Sequence, residues 1–109
     1  LKTSSWKLNE KEQIEAKNLL AELIRCESPD PPGREVEIAK YLIDWFSTRG
    51  FITEADEFVS GRVNLITRLP GGNKPALIFS AHMDTMAVGE STWKYDPFGA
   101  NIVNGRLYG

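Results

Sequence analysis

Apolar residues at Ile14, Ala16, Leu19, Leu20, Leu23 and Ile24 recur at the spacing of a helix face. Asn9 stands ahead of them as an N-cap. Glu12 follows three residues later, as in a capping box, and Glu10 adds negative charge in the first turn, where the helix dipole favours it. Residues 27–33 must interrupt this pattern, because Pro29, Pro31 and Pro32 remove backbone donors and push their predecessors into extended geometry. A second helix is predicted over residues 35–49, with Val36, Ala39, Leu42, Ile43 and Phe46 on its apolar face. Arg49 suits its last turn and Gly50 the position just beyond.

The pattern then changes period. Residues 51–59 are rich in β-favouring side chains with partial alternation, Ser60-Gly61 reads as a turn, and residues 63–69 alternate well enough for a second strand. Pro70-Gly71-Gly72-Asn73 signals another turn. The short apolar run 76–81 has the character of a strand buried on both faces. A long irregular segment leads to Phe98, and Asn104-Gly105 between residues 101–103 and 106–108 is the signature of a tight hairpin. Residues 1–8 are polar, with Trp6 as the one candidate anchor, and are expected to form a flexible arm. Helices first, then strands, predict an α/β domain with a mixed sheet.

Composition narrows the partners more than the fold. The 109 residues carry 13 Lys+Arg and 15 Asp+Glu, a net charge of −2. That balance supplies no excess positive charge for nucleic acid or an anionic membrane surface. The longest apolar run, residues 76–79, falls far short of the roughly 20 residues of a membrane span. Cys26 is the only cysteine, so no internal disulfide can form. With no basic-then-apolar leader pattern at the start, it points to a reducing, cytoplasmic setting. The first residue is Leu and the last follows a hairpin directly, which suggests the front part of a longer chain.

Chemistry centres on the only histidine. His82 follows the apolar run at its carboxyl end, where open α/β sheets place their binding sites. Asp84 is two positions on, and in an extended chain such residues project from the same face. A carboxylate there can accept the second ring N–H, fix the tautomer and make the remaining nitrogen a better metal ligand. The competing reading is a hydrogen-bonded structural histidine near a strand end. One His and one Cys cannot make a closed zinc site without carboxylates.

The surrounding block, Ala76-Leu-Ile-Phe-Ser-Ala-His82-Met-Asp84-Thr, resembles the first metal-binding motif of the M20 metallopeptidase and deacylase family. That group includes acetylornithine deacetylase, succinyl-diaminopimelate desuccinylase, aminoacylase and carboxypeptidase G2. Trp93, Asp96-Pro97-Phe98 and Gly105-Arg-Leu-Tyr108-Gly109 follow in the family's order. Upstream, residues 23–29, Gly50-Phe51 and Arg62-Val-Asn-Leu are similar to the family's opening, so the resemblance spans about residues 10–109. Met86-Ala87 departs from the Val-Pro that members often carry.

The resemblance implies that residues 1–109 are the N-terminal part of a three-layer zinc-exopeptidase-like catalytic domain. It implies a ligand role for His82 toward one of two zinc ions (Co2+ or Mn2+ as alternatives), with Asp84 orienting it. The implied reaction is hydrolysis of an amide in a small N-acyl amino acid or peptide. Metal-bound water attacks in that scheme, and a carboxylate carries its proton to the leaving amine. The bridging aspartate, general base and remaining ligands would come from a continuation beginning Arg-Gly and reaching Asp-x-Lys-Gly. The chain alone is then expected to be inactive and to bind metal weakly. A homodimeric parent is left open, since the family's dimerisation domain is inserted later.

Other features read more plainly. Cys26 is expected as a small buried helix residue, with only Arg25 nearby to activate it. No Gly-x-Ser-x-Gly elbow is present. Gly71-Gly72 lacks the Lys-Ser/Thr of a phosphate loop. Trp93 and Phe98 fit either a substrate crevice or the packing of their own loop. The rival to an enzyme is a non-catalytic α/β interaction or dimerisation module, whose exposed strand edges would recruit a partner.

Overall fold

A computed structural model describes residues 7–109 and divides into two compact units. The first six residues of the expected arm, with Trp6, lie outside the described residues. Unit one contains α1 (Glu10–Arg25) with β3 (Asn101–Val103) and β4 (Arg106–Tyr108); unit two contains α2 (Val36–Ser47), β1 (Ile52–Val59) and β2 (Arg62–Arg68).

The start of α1 is built as its sequence predicts. The Glu12 backbone N–H donates to Asn9 Oδ1 at 2.9 Å, and the Asn9 N–H donates back to Glu12 Oε2 at 2.7 Å. This reciprocal pair satisfies two donors that a bare helix end would leave open. The apolar stripe of α1 is only partly covered: Ala21 is buried and Leu19, Leu23 and Ile24 are half-buried, while Ile14, Ala16 and Leu20 are exposed. Length explains this. Sixteen helical residues extend about 24 Å at ~1.5 Å per residue. The three-residue strands of the same unit reach only about 10 Å.

The β3–β4 hairpin is antiparallel, pairing Asn101 with Tyr108 and Val103 with Arg106. Asn104 and Gly105 both have positive φ, 50° and 75°, as the tight turn requires. The Tyr108 ring packs against Tyr95 at a tilt, with 4.7 Å between ring centroids. The Phe98 N–H donates to Asp96 Oδ1, and the Gly99 N–H to the Asp96 carbonyl, fixing the turn before β3.

In unit two, α2 packs on the β1–β2 hairpin, with Ile38, Ala39 and Val63 buried and Leu42, Ile43 and Phe46 half-buried. The helix ends where glycine was expected to end it. Gly50 has φ +79°, its N–H donates to the Ser47 carbonyl at 3.2 Å, and the Phe51 N–H reaches back to the Phe46 carbonyl at 3.2 Å. The rings of Phe46 and Phe51 close the motif at 5.0 Å. β1 and β2 pair antiparallel from Ile52↔Arg68 to Val59↔Arg62, with an irregularity between Glu57 and Val59 beside the Ser60-Gly61 turn. Cys26 lies just past α1 and is half-buried, not inside the helix as expected.

The α/β class holds, as helices followed by strands. The expected mixed sheet takes the form of separate antiparallel hairpins, and among the described residues parallel pairing is confined to a bridge between Pro29 and Thr85. The run 76–81 is not the buried strand its sequence predicts. It forms no ladder, and Leu77, Ile78 and Phe79 are 80%, 83% and 87% exposed. A strand buried on both faces needs neighbours on both edges and layers above and below. β1 and β2 pair only with each other, so the run has no ladder partner among the described residues.

Candidate functional site

His82 and Asp84 lie in unit two, on the segment that follows this exposed run. The imidazole is 81% exposed. Its Nδ1 lies 2.8 Å from the Asp84 carbonyl oxygen and 3.3 Å from Asp84 Oδ1. Both partners are acceptors, so a neutral ring satisfies them only as the Nδ1–H tautomer. Nε2 then carries the free lone pair. The same-face argument for residues 82 and 84 therefore corresponds to a real contact, closed by the backbone as well as the carboxylate.

The segment owes its position to the Pro-rich loop. The Ser28 hydroxyl donates to the Met83 carbonyl at 2.8 Å, the Thr85 N–H donates to the Ser28 carbonyl at 3.0 Å, and the Asp30 N–H donates to the Thr85 carbonyl at 2.9 Å. These bonds fall on either side of Asp84. The loop is itself tied, since the Gly33 N–H donates to the Pro29 carbonyl at 2.9 Å. Arg62, at the start of β2, reaches Asp30 Oδ2 at 3.2 Å through Nη1 and Glu35 Oε1 at 2.8 Å through Nε.

Glu35 is only 5% exposed, and the guanidinium beside it supplies the opposite charge that a buried carboxylate needs. The contact is an ion pair by distance without a well-aligned Nε–H, and Glu35 Oε2 has no partner among the described residues. Gly33 leaves the room Arg62 occupies: a Cβ there would stand 2.6 Å from Arg62 Cδ, and φ is +73°.

Among the described residues, no three His, Cys, Asp or Glu side chains gather where they could hold a metal ion. His82 with Asp84 offers one nitrogen and its orienting carboxylate, which fits part of a metal site. Ser28, Asp30, Glu35 and Arg62 were not predicted as contributors. Ser28 and Met83 are 55 positions apart, and no periodicity links them. Trp93, expected at a crevice or in loop packing, is exposed, and Phe98 is half-buried.

Comparison with known proteins gives the family. The chain is 38% identical over 77 residues to acetylornithine deacetylase of Vibrio cholerae, covering 71% of this chain and 20% of that enzyme. It is 35% identical over 98 residues to succinyl-diaminopimelate desuccinylase of Methylobacterium radiotolerans, covering 86% of this chain and 24% of the relative. For the desuccinylase of Parvibaculum lavamentivorans the figures are 37% over 97 residues, 84% and 24%. The chain belongs to the M20 family. No family model matches it. The M20 relatives carry the names of acyl-removing hydrolases, and the family is a hydrolase family. This chain spans between a fifth and a quarter of their length. No described helix is long and apolar enough to cross a membrane.

Proposed function

We propose that this M20 chain contributes the first metal ligand to a metal-dependent amidohydrolase acting on small N-acyl amino acids or peptides. The observation that carries the reading is the His82–Asp84 contact, with Nδ1 committed to acceptors and the ring open at Nε2. Relatives named deacetylase and desuccinylase support the amide chemistry. Zinc, when bound, would polarise an amide carbonyl and acidify a water molecule.

His82 would hold one such ion through Nε2, and Asp84 would fix the tautomer and orientation of the ring and make Nε2 a stronger donor to the metal. Asp84 thus acts through His82. The remaining ligands and the general base are assigned to no residue between 1 and 109, and on this reading the chain alone is inactive. The whole protein is read as a cytoplasmic enzyme, and a homodimer is compatible with it.

Because His82 is the only histidine, its ring nitrogens can be followed by NMR without ambiguity during a zinc titration. Coordination through Nε2 is expected, lost in His82→Ala and weakened in Asp84→Asn by about tenfold or more. A ring that ignores millimolar zinc, or binds it through Nδ1, would overturn the reading. The exposed apolar run Leu77-Ile78-Phe79 favours the second reading, an interaction module, and that module requires no response of His82 to zinc.

A further inference from the structure

We infer that Ser28 is a positioning residue for the His82-Met83-Asp84 unit, and that Arg62, held by Asp30 and Glu35, locks Ser28 in place. The inference rests on the reading of His82 as a ligand, but its geometry stands apart from any metal. The His82–Asp84 contact uses the Asp84 backbone carbonyl, so it exists only for a narrow set of backbone angles at Met83 and Asp84. Nothing on the N-terminal side supplies that restraint, because the run 76–81 has no ladder and its apolar side chains face solvent. The restraint comes from across the unit. Ser28 donates its hydroxyl to the Met83 carbonyl, between the two functional side chains, and accepts the Thr85 N–H on its own carbonyl.

Ser28 is 1% exposed and the most completely buried side chain among the described residues, so no water competes for that hydrogen bond. A buried hydroxyl is costly unless it is paired, and this one is paired to the peptide that separates ligand from orienter. The loop carrying Ser28 would be free to shift were it not tied to β2. Arg62 supplies the tie as one charge set between two carboxylates, 3.2 Å from Asp30 through Nη1 and 2.8 Å from Glu35 through Nε. A lysine carries its charge on a single nitrogen and cannot approach both carboxylates through separate nitrogens.

The test compares the full chain with Ser28→Ala, Ser28→Cys and Arg62→Lys by NMR. Cys fills the same space with a poor donor, so it separates packing from hydrogen bonding. The readouts are the tautomer of the sole histidine ring and the exchange rates of the Thr85 and Asp30 amides, with Ala39 and Val63 amides reporting the fold. In the unaltered chain the Nδ1–H tautomer should dominate.

Both Ser28 variants should exchange Thr85 and Asp30 about fivefold faster and lose that dominance, with Ala39 and Val63 still protected. Arg62→Lys should do the same to a smaller degree. Wild-type tautomer and exchange in Ser28→Cys would show that volume alone matters and overturn the inference. Loss of Ala39 and Val63 protection in both Ser28 variants would make Ser28 a core residue and overturn it equally. Zinc added to the unaltered chain separates the two ideas. A silent ring would defeat the metal reading while leaving the positioning result to be judged on tautomer and exchange alone.

Discussion

The strand Arg62–Arg68 and the run 76–81 are both rich in β-favouring apolar residues, yet one is laddered and the other bare. β2 follows β1 through Ser60-Gly61, so its partner is delivered by a local turn and its register is set at once. Val63 is buried under α2 as a result. The run 76–81 follows Pro70-Gly71-Gly72-Asn73, which does not return it along β2, and the chain regains a backbone partner only at Thr85, opposite Pro29 in a parallel bridge. Parallel partners cannot be joined by a tight turn, so they must come from distant sequence. Strand propensity describes a surface that fits a sheet; the sheet has to exist for the strand to form.

Amide exchange is the largest expected contrast. The β2 amides that bond to β1 should exchange at least about a hundredfold more slowly than those of Leu77, Ile78 and Phe79. Equal protection in both segments would erase the difference between them. Next in size, Ile38→Ala, beneath the hairpin, should cost about 3 kcal/mol in denaturant titration. A loss below about 1 kcal/mol would mean that α2 does not cover β1 and β2 as described.

Gly33→Ala should cost about 2 kcal/mol, because it places a Cβ at positive φ and against Arg62. It should also speed Thr85 exchange, which tests whether the loop carries the segment that the bare run does not. The smallest effect belongs to Phe79→Ala, expected within about 0.5 kcal/mol at a side chain 87% exposed. A cost near that of Ile38→Ala would place Phe79 in a core.

Much of the fold was legible because its signals are local. Asn9 with Glu12, Gly50 with Phe51, and Asn104-Gly105 each act within a few residues, and each produced the predicted terminus or turn. Helix and strand bounds followed to within about two residues, the usual uncertainty at frayed ends. Burial was less legible. The stripe of α1 states only what could be buried, and the short hairpin of its own unit leaves Ile14 and Leu20 exposed. Residues 76–81 failed for the same reason, with the neighbour missing altogether.

At the site, His82 and Asp84 could be singled out because their contact spans two positions, and the imidazole has the acceptors it needs within reach. Their support could not be seen in advance. Ser28 meets Met83 and Arg62 meets Asp30 and Glu35 only after the Pro-rich loop, β2 and the segment after residue 81 have come together. Interactions closed within one turn are written in neighbouring residue types. Those closed across 27 to 55 positions depend on loop paths that no short pattern encodes, and here they fix the backbone beside His82 and Asp84.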